Sequence, residues 1–250
     1  MKKILFIITL FILALILAGC NIVSFNNDVK MINPSDTIIS DNRTVSEFNG
    51  IDFRTFGKVV LTQGETESVV IKGSDNVVPV IQTSVRNGVL VIQTDEDINI
   101  TGMNKENVLT FTIVVKDLTS LTISGAAEVD LARLSTSKLD LTMSGVGNVQ
   151  LGDLQAESMN VTVSGAGSVN LAGEVSKAWI NISGAGPVNA ADLKIGTADV
   201  TISGIGSASV WVIEKLTGNI SGAGNVSYYG DPMVSTTTSG IGEFKSLGSK

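Results

Sequence analysis

Apolar residues recur along this chain at fixed odd offsets from a repeating serine. The serines are Ser124, Ser144, Ser164, Ser183, Ser203, Ser221 and Ser239, spaced 18 to 20 residues apart. Each opens a Ser-Gly-x-Gly unit, except that Ala127 replaces the second glycine in the first copy. One residue before them stand Ile123, Met143, Val163, Ile182, Ile202, Ile220 and Thr238. Five after them stand Val129, Val149, Val169, Val188, Ala208, Val226 and Phe244. The positions three before and seven after are also mostly apolar, whereas even offsets carry mainly Thr, Asn, Asp, Ser and Glu. This period-two alternation on both sides of a glycine bend predicts two short strands per repeat. Glycine suits the bend because it tolerates positive φ and close backbone approach.

One repeat cannot bury its apolar edge alone, but stacked repeats turn each column into an internal ladder. An up-and-down array of antiparallel hairpins is the alternative. Near-identical columns favour parallel stacking, in which each residue lies over its own equivalent. The predicted fold class is therefore all-β, a parallel β-helix (solenoid) with coils of about 20 residues. The last coil is atypical, with Thr236 and Thr238 in apolar columns, and Tyr228-Tyr229-Gly230-Asp231-Pro232 before it reads as the C-terminal closure.

Residues 44–118 are β-rich but out of the repeat register. Candidate strands are Gly50–Phe53, Val59–Thr62, Ser68–Lys72, Val78–Val85, Val89–Thr94 and Val108–Val115, with a hairpin turn at Asn87-Gly88. This part is expected to form irregular coils and a β cap on the N-terminal side of seven Ser-Gly-x-Gly coils at 119–250, all within one domain, 44–250. Residues 20–43 are polar and aperiodic and read as a flexible tether.

The first 19 residues change the picture of where the protein works. Lys2-Lys3 precedes an apolar run from Ile4 to Leu17, then Leu17-Ala18-Gly19-Cys20. This is a secretory signal, and the small residues before the sole cysteine resemble a bacterial lipobox. The resemblance implies cleavage after residue 19, a lipid-modified Cys20, and anchorage in the outer membrane or on the outer face of the cell membrane. Removing residues 1–19 takes two lysines from 17 basic residues, leaving 15 against 24 acidic and a net charge of −9. That charge argues against nucleic-acid partners and against electrostatic docking on anionic lipid.

The order of VSEFNGIDF, VVLTQGETESVVIKG, VRNGVLVIQT, the recurring SGAG and SGVG coils, and YYGDPMVSTTTSGIGEF resembles the auto-transporter adhesin head GIN domain family. The resemblance spans about Thr44 to Lys250. It implies a right-handed β-helix at the cell surface or in the periplasm, and it supplies no catalytic residues.

The chain has no histidine, which removes Ser-His-Asp and Cys-His triads and the common zinc sites. The Gly-x-Gly units precede strands rather than helices and carry no lysine at the place a phosphate loop needs. No cofactor is expected. The best catalytic cluster is Asp130 and Asp140 with Glu128, Arg133 and Lys138, which a charged connecting loop explains equally well. Outward-facing Thr122, Ser124, Thr142, Ser144, Thr162, Ser164, Thr201 and Ser203, with Asn181 and Asn219 filling gaps, form a candidate uncharged binding strip. Hydroxyl ladders also stabilise stacked strands with no ligand at all. The leading expectation is a non-enzymatic, lipid-anchored envelope protein presenting a binding or scaffold surface to a glycan or another surface protein. A polysaccharide-processing β-helix enzyme and a structural envelope-stress component without ligand are the alternatives.

Overall fold

Backbone hydrogen bonds run from each Ser-Gly bend to the equivalent bend one coil earlier. The Ser144 and Gly145 N–H groups both donate to the Ile123 carbonyl (2.9 Å each), and Val146 N–H donates to the Gly125 carbonyl at 2.9 Å. The pattern returns at Ser164, Ser183, Ser203, Ser221 and Ser239. The result, in a computed structural model that describes residues 30–104 and 107–250, is a parallel β-solenoid of about six turns. The signal segment, Cys20 and residues 20–29 lie outside the described residues.

Each inward residue lies over its equivalent: Leu141 pairs with Val161, Val161 with Ile180 and Ile180 with Val200. The two short strands expected per repeat run together. Val146–Val163, Ala166–Ile182 and Ala185–Ile202 each extend from one bend to the next, and the first two are offset only by a register irregularity between Leu151 and Leu154. The core also holds more columns than the four expected. Leu139, Met159, Ala178, Ala198 and Leu216 stack five residues before the serines, and Leu134, Leu154 and Leu193 add a further apolar set; all are buried.

The first bend glycine is required by close approach, not by an unusual φ. A Cβ on Gly165 would stand 1.9 Å from the Gly145 carbonyl oxygen and 2.5 Å from that of Ser144. At the second glycine both reasons apply in some coils: Gly186 has φ +143°, and its Cβ would stand 1.8 Å from the Gly167 carbonyl oxygen.

The region 44–118 contributes a complete coil built on two of the expected strands, and this coil keeps the register of the repeats. Gly50–Phe53 and Phe56–Gln63 pair in parallel with Ser120–Ile123 and Ala126–Leu131. Arg54-Thr55-Phe56-Gly57 thus stands where the repeats have Ser-Gly-x-Gly. On its other side this coil carries Val89–Thr94 and Thr110–Val115, again in parallel. It therefore sits between two coils that both follow it in sequence. Phe53 and Phe111 meet edge to face, with ring centroids 5.0 Å apart, and both are fully buried.

Antiparallel strands close this end. Ser68–Ser74 pairs with Thr110–Val115, and Ile81–Arg86 pairs with Val89–Thr94 through the expected Asn87-Gly88 turn, where φ is 51° and 75°. Val78–Val80, expected to begin a strand, is a 3-10 turn, because Pro79 cannot donate to a ladder. Residues 30–43, expected to be tether, belong to the folded body. Lys30–Ile32 pairs with Ile98–Ile100, and Ile38–Arg43 pairs antiparallel with Ser68–Ser74. The repeats and the cap share one buried apolar cluster running from Ile32 to Val226.

At the far end Tyr228 lies half-buried against the core, but the plug is Phe244. Gly218 ends the apolar run of its column after Val200, and a Cβ there would stand 2.9 Å from the Phe244 ring. The ring occupies the space that a side chain at 218 would fill.

Gly165→Ala forces backbone in two coils apart and is expected to cost about 2–4 kcal/mol in urea unfolding. Ala166→Ser, at the adjacent exposed position, is expected to stay within about 0.5 kcal/mol. Equal effects would remove the close-approach explanation.

Candidate functional site

The stretch before each bend presents three outward columns, because side chains alternate along a strand. Nearest the bend is the serine column. Next comes Thr122, Thr142, Thr162, Asn181, Thr201, Asn219 and Thr237, each in register with its neighbour. The expected strip is therefore brought together as a continuous row. Thr122, Thr142, Thr162 and Thr201 are half-buried, Thr237 is exposed, and the serines are exposed. Ser164 Oγ donates to Ser144 Oγ at 3.3 Å, so part of the row is bonded to itself.

The strip has a charged end. Asp52 holds the threonine position in the coil before Thr122, and Arg54 holds the serine position. Arg54 Nε and Nη2 both donate to Asp52 Oδ2, at 2.8 and 2.6 Å. The hydrogen bond and charge of Asp52 push the guanidinium pKa up, so Arg54 stays protonated.

The third column, four residues before the serines, reads Ser120, Asp140, Asn160, Trp179, Asp199 and Thr217. Trp179 is 47% exposed. Together with Asp140, Thr142, Asn160, Thr162 and Asn181 it lines a shallow groove on this face. Sequence reasoning missed Trp179, although it was legible as the one aromatic side chain among the outward positions of its column.

A second missed feature lies at the bend itself. The x of Ser-Gly-x-Gly is Ala126, Val146, Ala166, Ala185, Ile205, Ala223 and Ile241. Val146, Ile205 and Ile241 are 57%, 73% and 80% exposed. This is an even offset from the serine, where the alternation calls for polar residues, so an apolar residue in all seven copies was a visible departure. An apolar ridge thus borders the serine column.

The proposed catalytic cluster is divided among separate partners. Asp130 lies after one bend, in register with Val60 and Gln150. Asp140 lies before the next, in register with Ser120 and Asn160. Arg133 Nε pairs with Asp153 Oδ2 at 3.0 Å, and Lys138 Nζ with Asp140 Oδ2 at 2.8 Å. Glu128 stands in register with Lys58 and Asn148. Partial burial pushes the Asp140 carboxyl up, but donation from Lys138 and Asn160 and the Lys138 charge outweigh it, so the net direction is down. A carboxyl held ionised in this way is a hydrogen-bond acceptor rather than a proton donor. Among the described residues no group of three His, Cys, Asp or Glu is placed to hold a metal ion.

A family model described as "Putative auto-transporter adhesin, head GIN domain" matches residues 47–232. A solved structure called a "putative adhesin" from Bacteroides fragilis is 29% identical, with TM-score 0.83 over 86% of this chain and 100% of that one. Two structures from Parabacteroides distasonis share the fold. One, called a "putative adhesin", is 19% identical with TM-score 0.68, over 87% of this chain and 100% of its own. The other, called a "putative lipid binding protein", is 21% identical with TM-score 0.70, over the same shares. No curated protein matches.

Because the Asp140 pKa is lowered on folding, its stabilising contribution is present above the ordinary carboxylate range and is lost as pH falls through the folded value. NMR titration of its side-chain carbon is expected to place the midpoint below that of an unstructured aspartate. A midpoint at or above it would show that Lys138 and Asn160 do not outweigh burial.

Proposed function

Because the chain belongs to the "Putative auto-transporter adhesin, head GIN domain" family, we propose that it is a non-enzymatic, lipid-anchored protein of the cell envelope whose solenoid presents a glycan-binding face. The observation that carries this reading is the half-exposed Trp179 set among Asp140, Thr142, Asn160, Thr162 and Asn181 in one groove. A sugar ring has an apolar C–H face and a fringe of hydroxyls. An indole offers the first a flat apolar partner, and amides, hydroxyls and a carboxylate offer the second both donors and acceptors. The groove lies on paired parallel strands, so its polar groups need little reordering on binding.

The dispersal of the cluster supports the non-enzymatic reading: Asp130 and Asp140 lie on opposite sides of a bend-to-bend stretch, and Asp140 and Arg133 are each held in a separate ion pair. Paired carboxylates that hydrolyse a glycosidic bond face one bond from two sides; here Arg133–Asp153 and Lys138–Asp140 are distinct pairs. The lipid anchor rests on the Leu17-Ala18-Gly19-Cys20 sequence. In this reading the membrane contact is covalent lipid at Cys20, and the polar strip of Thr122, Thr142, Thr162 and Thr201 with their serines runs through the groove and extends the same face beyond it at Thr122 and Thr201.

A glycan array probed with the purified protein is expected to give binding that Trp179→Ala lowers at least about tenfold without altering the melting temperature. No binding by the wild-type protein to any glycan, or equal binding by the variant, would sink the glycan reading. The wild-type chain is expected to incorporate labelled palmitate and Cys20→Ser is expected to incorporate none. An unlabelled wild type, or equal labelling of the variant, would remove the lipid anchor at Cys20.

A further inference from the structure

Among the described residues the last coil leaves the outer edges of its two strands, Met233–Thr238 and Phe244–Ser246, open, and the longer of them is the first. In each earlier coil the carbonyl before the bend serine accepts from the next coil, as Ile202 does from Ser221 and Gly222, and Ile220 from Ser239 and Gly240. Thr238 holds that position in the last coil. Among the described residues Met233–Thr238 pairs with Ile205–Ile220 and with no other strand. The Ser239 N–H points back to the previous coil. Backbone direction alternates along a strand, so the N–H and C=O groups of Val234, Thr236 and Thr238 point to the open side.

Three properties make this edge fit for pairing. From Pro232 to Gly242 it carries no charged residue, so the usual guard against edge association is missing. Met233 and Val234 are 74% and 44% exposed, and Thr236 and Thr238 are exposed although their columns are inward elsewhere. The three residues with open backbone groups are also evenly placed about Thr236. We propose that this edge binds the same edge of a second copy of the chain, antiparallel about a two-fold axis at Thr236, joining two solenoids tail to tail.

In that register Thr236 faces Thr236 of the second copy, Val234 faces Thr238, and Ser235 faces Thr237. All six open backbone groups of each strand find partners. Faces are preserved, so the inward ladder of one solenoid runs into that of the other and Val234 is covered. The contact is self-complementary, as a two-fold interface requires, and it places no like charges opposite each other within the strand. Cross-strand threonine pairs add to such contacts. The opposite end is closed by antiparallel strands, so growth stops at two copies rather than continuing as a filament. This inference does not depend on what the groove at Trp179 binds.

The test uses the full-length chain in detergent micelles. Sedimentation across the micromolar range is expected to show a dimer for the wild type and a monomer for Thr236→Lys, which sets two ammonium groups face to face, with melting temperatures alike. Thr236→Cys is expected to form a covalent dimer on mild oxidation, well above the wild-type background. Thr201→Cys, in the middle of the stack, is expected to remain at background. A wild-type monomer, a dimer that survives Thr236→Lys, or equal cross-linking at the two cysteine positions would overturn the proposal.

Discussion

The whole stack depends on how closely two backbones approach at the bend. Each bend glycine lies against the carbonyl oxygen of the bend before it, so near that a methyl group has no room: the Cβ distances at Gly145, Gly184 and Gly222 are 1.8, 2.1 and 2.2 Å. Hydrogen bonds fix the coils at strand spacing, and side chains at the bend would hold them apart. Everything else follows from that spacing. The apolar columns make contact because the bends do, and the outward rows line up because the inward ones do.

Much of this was legible in the sequence. Odd offsets from the serine identified inward columns such as Ile123, Met143 and Val163, and near-identity between copies implied parallel register. The strands of the coil at Gly50–Gln63 were legible but its place in the repeat register was not, because its bend reads Arg54-Thr55-Phe56-Gly57 and only the last residue matches the repeat. Its Thr55 is buried, and its hydroxyl meets Thr94 Oγ1 at 2.6 Å. The strands at Lys30–Ile32 and Ile38–Arg43 were hidden for another reason. Their alternation is short, and their pairing partners lie about 30 to 70 residues away in sequence.

The candidate site shows the same division. The hydroxyl row at Thr122, Thr142, Thr162 and Thr201 could be read directly, since a period fixes what lies beside what. The groove at Trp179 could not, since it draws on Asp140, Asn160 and Trp179, whose side chains differ from coil to coil. A regular scaffold makes such differences matter. Where the backbone repeats, the identity of a site lies in the positions that break the repeat. Trp179 in a column of Ser, Asp, Asn and Thr is one break, and the Asp52–Arg54 pair at the head of the strip is another.

The coil between Gly50 and Gln63 has neighbours on both sides that are made later in the chain. It works as a keystone rather than as a first step. Losing it would part the cap from the repeats, whereas losing one interior repeat would leave the remaining bends free to meet in the same register. The copy number is therefore a parameter that duplication or deletion can tune, one coil at a time. Each change alters the reach of the molecule by about 4.8 Å, while the keystone and the terminal plug at Phe244 stay as they are.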